Sequence, residues 1–275
     1  MEIWHAIVLG IVEGVTEFLP VSSTGHLTIV EKLLGLPIDD PAITAYTAVI
    51  QVGAIAAVFV YFRRDIGRLA SAWFRGIGSA AARREPDYRF AWYVVAGSVP
   101  VGIAGYLGQD LIRGPLRSLW WVAGSLILWS AVMVLAEWLA TQVRGERELR
   151  LRDSLIIGLA QCLALVPGVS RSGATISAGL LRGFDRVTAT RLSFFLAIPA
   201  LTAAGIYELP AALSESIGVA NLVVGTVVSF VVAYASIAWL LRFVAGHSLL
   251  TFVWYRLAVG GLVIGLLATG TITAT

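Results

Sequence analysis

The sequence predicts an all-α integral membrane protein with six transmembrane helices and two re-entrant helical hairpins arranged as an inverted repeat. Three observations carry that expectation. First, 58% of the 275 residues are hydrophobic and only 13% are charged, with a mean hydropathy of +0.83, whereas a soluble domain is about a quarter charged. Second, two otherwise apolar segments, 1–35 and 154–181, carry polar residues at their centres. Third, a shift of 148 positions superposes those two segments without a gap, Gly10 on Gly158, Glu13 on Gln161, Val21 on Val169, Ser22 on Ser170 and Gly25 on Gly173.

In the first polar segment Glu13 and Glu17 lie four residues apart, so a helix brings them onto one face. Two carboxylates that close repel unless a proton, a cation or a metal lies between them. Pro20 ends the helix, lacking an N–H and clashing with the preceding turn. Ser22, Ser23, Thr24 and Gly25 then form a hydroxyl-rich turn whose donors suit an anion. His26 closes the stretch with the side chain that titrates nearest neutral pH. So much polarity excludes a lipid-exposed span, and a pair of short helices buried by neighbours satisfies the backbone instead.

Residues 41–62, 90–109 and 118–136 are charge-poor spans, as are 192–208, 216–241 and 250–270; about 20 apolar residues cross a bilayer. The loops between them fix the orientation. Loop 63–89 holds seven arginines, and with loops 144–152, 182–191 and Arg242 that side collects fifteen of the twenty Lys and Arg residues. Lys32, Arg113 and Arg117 fall on the other side. The positive-inside rule puts the basic loops in the cytoplasm and both termini outside. Trp92, Trp120, Trp121 and Trp138 mark span ends, as interfacial aromatics do. The arginine-rich loop 63–89, with Trp73 and Phe74, is expected to lie on anionic lipid. The pI of 9.2 therefore argues for a membrane and not for nucleic acid. The single cysteine, Cys162, excludes an intramolecular disulfide framework and a cysteine metal cluster. The N-terminus lacks the basic start and unbroken apolar run of a cleavable signal peptide. One membrane domain, 1–275, with halves of about 1–140 and 150–275, is the expected organisation, and inverted halves put the site between them near the midplane.

The halves differ where chemistry would differ. Glu17 falls on Leu165, His26 on Ala174 and Ser23 on Arg171. An arginine inside a bilayer costs about 3 kcal/mol on insertion scales, and its fork of donors matches phosphate oxygens. Ser170, Ser172, Gly173 and Thr175 surround it as an anion cradle. The two hairpins together are expected to set Arg171 opposite the acid–histidine cluster, converging on one phosphorylated headgroup. Arg256, little more than one turn inside the last span, is expected to snorkel to the cytoplasmic interface.

The stretches Glu13-Gly-Val-Thr-Glu-Phe-Leu-Pro-Val-Ser-Ser-Thr-Gly-His26 and Pro167-Gly-Val-Ser-Arg-Ser-Gly-Ala-Thr-Ile176 resemble the two signatures of the undecaprenyl-diphosphate phosphatase family, the bacitracin-resistance phosphatases. The resemblance extends over the chain in length, span order and hairpin position. It implies hydrolysis of undecaprenyl diphosphate to undecaprenyl phosphate, which recycles the lipid carrier of peptidoglycan synthesis. It also implies a divalent cation, a bacterial inner-membrane location and a site open to the periplasm. On that footing Glu13 and Glu17 are the expected ligands of Mg²⁺ or Ca²⁺, and His26 the general acid or base. Arg171 neutralises the transferred phosphoryl group. Thr24, Gly25, Ser170, Ser172, Gly173 and Thr175 bind phosphate. Two nucleophiles stay open: a serine activated by His26, Ser23 before Ser22, or a metal-held water. The expected partners are the polyprenyl diphosphate and membrane lipids, and a homodimer is left open. The rival reading is a lipid-carrier flippase or ion-coupled transporter, because inverted repeats with broken helices are also a transporter architecture.

Overall fold

The computed structural model describes residues 1–38, 40–113, 116, 118–214 and 218–274, without the side chains of 41, 113 and 208–214. The expectations for Arg117, the Arg113 side chain and the start of the 216–241 span lie outside the described residues. Twelve α-helices and no β-strand occur among them. In order they are α1 (Ile3–Thr16), α2 (Ser23–Leu33), α3 (Pro41–Tyr61), α4 (Arg63–Gly78), α5 (Pro86–Leu107) and α6 (Gln109–Arg113). Then come α7 (Leu119–Leu139), α8 (Leu151–Leu163), α9 (Arg171–Leu181), α10 (Arg186–Ser214), α11 (Val219–Val244) and α12 (Leu250–Ala268). Six of these, α3, α5, α7, α10, α11 and α12, are long and apolar enough to cross a membrane.

The two polar segments are each a pair of short helices broken in the middle, α1–α2 and α8–α9. The breaks share one conformation. Ser22 (φ 77°) and Ser170 (φ 78°) both occupy the positive-φ region, which a side chain with a Cβ adopts only where its surroundings hold it. Each caps the following helix, Ser22 Oγ accepting from the Gly25 N–H and Ser170 Oγ from the Gly173 N–H. The side-chain cap stabilises the helix start by about 1 kcal/mol, which offsets part of the strain.

Packing interleaves the halves. Helix α1 lies along α11, and α8 lies along α5. Both crossings depend on glycine: a Cβ on Gly10 would sit 2.7 Å from the Gly225 carbonyl oxygen, and one on Gly158 only 1.9 Å from that of Gly97. Gly10 and Gly158 are the positions that the 148-residue shift superposes, so matching contacts recur in the two halves. The remaining large contacts join α3 with α11 and α10, and α7 with α12.

The arginine-rich loops meet at one end of the molecule. Arg144 and Arg182 both pair with Asp153, Arg186 with Glu137, and Arg191 with Asp65 and Glu146. The Leu249 N–H also donates to Glu137 (2.6 Å). Loop 63–89 holds α4, an amphipathic helix that buries Leu69, Ala72 and Gly76 while Phe74 and Ile77 remain exposed. Two of its arginines are ion-paired, Arg68 with Asp65 and Asp87, Arg75 with Glu85. Trp120, Trp121 and Trp138 are exposed at the two ends of α7.

Candidate active site

The helix breaks bring the two hairpins into direct contact, and the strongest links run between them. The Ser22 hydroxyl accepts from the Gly168 N–H (3.1 Å). The Ser172 hydroxyl donates to the Leu19 carbonyl (2.8 Å). Arg171 Nη2 donates to the Glu17 carboxylate (3.3 Å) and to the Glu17 carbonyl (3.2 Å). These contacts span about 150 residues of sequence and bind the acidic hairpin to the arginine hairpin.

At the centre lies Glu17. One carboxylate oxygen accepts from Arg171, and the other accepts from the Ser23 hydroxyl at 2.5 Å. A short bond to an ionised acceptor is a strong one, and it aims a serine oxygen at a base. The expectation set that serine against His26, and the structure differs: Ser23 pairs with Glu17, while both nitrogens of His26 are engaged elsewhere. Nδ1 lies 2.8 Å from the Ser22 carbonyl and Nε2 lies 2.8 Å from the Tyr255 hydroxyl. A carbonyl only accepts, so Nδ1 carries the proton, and in neutral His26 a bare Nε2 accepts from Tyr255. The Tyr255 ring stacks on the imidazole at 5.5 Å.

Arg171 approaches the same point from the second hairpin. Nη1 donates to the Ser193 carbonyl (3.3 Å), and the guanidinium sits 5.8 Å from the Phe18 ring centre. Its buried Nε has no partner, which leaves a donor for an incoming anion. Thr175 faces Ser193, hydroxyl to hydroxyl at 2.7 Å, and bonds back to the Arg171 carbonyl at 2.8 Å. Ser170 and Ser172 share a hydrogen bond of 3.1 Å. Gly173 and Gly25 supply the N–H groups that the capping serines hold. Thr24, at the first turn of α2, lends its carbonyl to the Thr28 hydroxyl. Glu13 is 1% exposed and its Oε1 has no hydrogen-bond partner. A buried acceptor left bare, one turn from a second carboxylate, fits a cation. Among the described residues no group of three or more His, Cys, Asp or Glu side chains gathers. Two carboxylates suffice for Mg²⁺, which keeps waters and takes substrate phosphate oxygens as its other ligands.

Arg256 corrects one expectation. Instead of snorkelling, it is 0% exposed. Nη1 donates to the Pro20 carbonyl (3.1 Å), Nη2 to the Gly168 carbonyl (2.8 Å) and the Ser125 carbonyl (3.4 Å), and Nε to the Ser130 hydroxyl (3.3 Å). Pro20 and Gly168 are equivalent under the 148-residue shift, so one guanidinium clamps both helix breaks at the same point. The reason is geometric: broken helices expose carbonyls with no partner on their own strand of chain, and those carbonyls draw a cation inward. Tyr255, Arg256 and Ser193 are the site residues that sequence reasoning missed. An arginine inside an apolar span was the one available signal, because intramembrane charges are functional by default.

Fold and site together define a multi-span membrane protein with a buried carboxylate, serine, histidine and two arginines held between broken helices, a site suited to phosphoryl transfer. The model of the family described as Bacitracin resistance protein BacA matches residues 6–262, and the chain belongs to that family. It is similar to an undecaprenyl-diphosphatase of Acidothermus cellulolyticus, 62% identical over 270 residues that cover 98% of each chain. Undecaprenyl-diphosphatase 1 of Streptomyces coelicolor is 59% identical over 98% of each chain, and undecaprenyl-diphosphatase 3 of Frankia casuarinae 56% identical over the full length of both.

Proposed function

We infer that this protein is a membrane phosphatase that hydrolyses undecaprenyl diphosphate to undecaprenyl phosphate and inorganic phosphate. That reaction recycles the lipid carrier for peptidoglycan synthesis and confers resistance to bacitracin. Near full-length similarity to undecaprenyl-diphosphatases supports the substrate. The observation that carries the chemistry is the Ser23 hydroxyl at 2.5 Å from Glu17, on a carboxylate that Arg171 also holds.

Ser23 Oγ attacks the terminal phosphorus, and Glu17 takes its proton. The bond from that phosphorus to the bridging oxygen breaks, releasing undecaprenyl phosphate, and a phosphoserine remains for water to hydrolyse. Arg171 neutralises charge on the transferred phosphoryl group through its free Nε, as arginines do in phosphoryl transfer. His26, with its bare Nε2 turned to the Tyr255 hydroxyl, is the general base that takes a proton through Tyr255 from the water that hydrolyses the phosphoserine, while protonated Glu17 returns its proton to the departing Ser23 oxygen. Thr24, Gly25, Ser170, Ser172, Gly173 and Thr175 shape the cradle for the phosphate oxygens. Glu13 and Glu17 are the residues that would hold Mg²⁺ or Ca²⁺, which would draw charge from the diphosphate oxygens. The basic loops face the cytoplasm by the positive-inside rule. The site then serves a diphosphate presented at the periplasmic face of the bacterial inner membrane, between two halves of opposite topology.

The test is phosphate release from a lipid diphosphate by the purified protein in detergent, where sidedness is gone and a pure transporter releases none. Arg171→Ala is expected to lower turnover about 10³-fold or more, and a chelator to suppress it. A labelled phosphoserine trapped at Ser23, absent in Ser23→Ala, is the expected intermediate. Burst kinetics without that label would make water the nucleophile.

A further inference from the structure

Beside the polar site lies an apolar cavity of about 270 Å³ between the first helix break and α12. Val15, Leu19 and Val21 line it from the first hairpin, and Thr251, Phe252 and Tyr255 from α12. Its wall is contiguous with the chemistry at three points. Thr16, also in the lining, precedes Glu17; Val21 precedes Ser22; and the Tyr255 hydroxyl reaches His26 Nε2 at 2.8 Å. Its mouth is marked by Val15, Thr251 and Tyr255, all exposed on the outer face of the helices.

A lipid diphosphate poses a steric problem here. Its headgroup must sit among buried carboxylates and a guanidinium, while the chain bonded to it must leave through apolar surroundings. A hydrocarbon passed through the polar cradle would strip hydrogen bonds from Ser22, Ser172 and Arg171 without replacing them. The cavity offers an exit that begins one side chain from His26 and ends at the lipid.

Resting on the phosphatase reading, we propose that this cavity seats the isoprenoid units nearest the diphosphate, with Tyr255 at the boundary between chain and headgroup. The Tyr255 ring lines the apolar side while its hydroxyl serves the polar side, the amphipathic use to which tyrosine is suited. Branched isoprene units fill the width between Leu19, Val21 and Phe252, and the chain beyond them leaves past Val15 into the bilayer. A second cavity of the same volume, lined by Leu69, Trp73, Phe74 and Phe195 on α4 and α10, touches none of the site residues and serves as an internal control.

The test uses the wild-type protein first. An isoprenoid diphosphate carrying a diazirine in its first isoprene units is photolysed on the detergent-purified enzyme, and the labelled peptides are mapped. Labels on Val15, Leu19, Phe252 or Tyr255, suppressed by excess unlabelled isoprenoid diphosphate but not by phospholipid, are the expected result. Labels at Trp73 and Phe74, or labels that phospholipid displaces equally, would overturn the assignment. A second measurement compares kcat/KM for a long-chain diphosphate with that for a one-isoprene diphosphate. Phe252→Trp, which fills the cavity, is expected to lower the long-to-short ratio about ten-fold, since small volume changes in apolar pockets carry factors of that order. An unchanged ratio would count against the cavity. Failure of the underlying phosphatase reading looks different: the wild type would release no phosphate from either substrate.

Discussion

His26 shows how far a single residue's environment determines its task. The Ser22 carbonyl fixes the proton on Nδ1, and this leaves Nε2 to deal with Tyr255 alone. Tyr255→Phe keeps the stacked ring and deletes only the hydroxyl. It is expected to lower kcat/KM about ten-fold, a loss near 1.4 kcal/mol of transition-state stabilisation, while ¹⁵N spectra of the labelled protein keep the Nδ1–H tautomer that the Ser22 carbonyl fixes. Full activity in Tyr255→Phe would remove Tyr255 from the proton path. The two residues differed in legibility for a physical reason. Glu13, Glu17, Ser23, His26 and Arg171 stand out in sequence because each is polar where a bilayer penalises polarity. Tyr255 sits in an apolar helix where tyrosine costs little, and its partner is 229 positions away. Local pattern carries no trace of such a contact.

At the scale of elements, the helix breaks are the devices that need support. Ser22 and Ser170 hold positive φ, and the carbonyls of Pro20 and Gly168 turn away from their own helices. Arg256 answers both at once. Arg256→Met is expected to destabilise the protein by about 3 kcal/mol, since buried carbonyls would lose charged donors, and to abolish activity by letting the hairpins part. Arg256→Lys should recover little, because a compact ammonium cannot span both carbonyls as a planar fork does. Thermal unfolding in detergent with parallel phosphate release measures both. Wild-type stability in Arg256→Met would mean that the clamp is dispensable. The hairpins, the spans and the break at Pro20 were legible because hydropathy and proline chemistry act locally. The inward turn of Arg256 was not, because snorkelling and burial look alike from a position little more than one turn into a helix. Only the convergence of two breaks decides between them.

For the molecule as a whole, charge counting assigned the basic loops to one side, and the structure joins them there through ion pairs. Asp153 is the hub. Burial alone would raise its pKa, yet the hydrogen bonds from Arg144 and Arg182 outweigh that and hold it below the ordinary carboxylate range. Its stabilising contribution is therefore complete above the unfolded value of about 3.9 and disappears as pH falls through the lower folded value. Asp153→Asn is expected to cost about 3 kcal/mol at neutral pH, and its gap from wild type in thermal unfolding should close on acidification towards pH 3. A gap independent of pH would deny the ionic role. The interleaving of α1 with α11 and of α8 with α5 bears on how such a chain is made. The acidic hairpin leaves the ribosome long before α11, the helix that shelters it. Until α11 follows, Glu13 and Glu17 face the insertion machinery without it, and the nascent chain must tolerate that delay or be held by a chaperone. A polypeptide stopped at residue 140 is accordingly expected to be degraded in cells, and to be rescued by co-expression of 141–275. Pulse-chase labelling would reveal either fate.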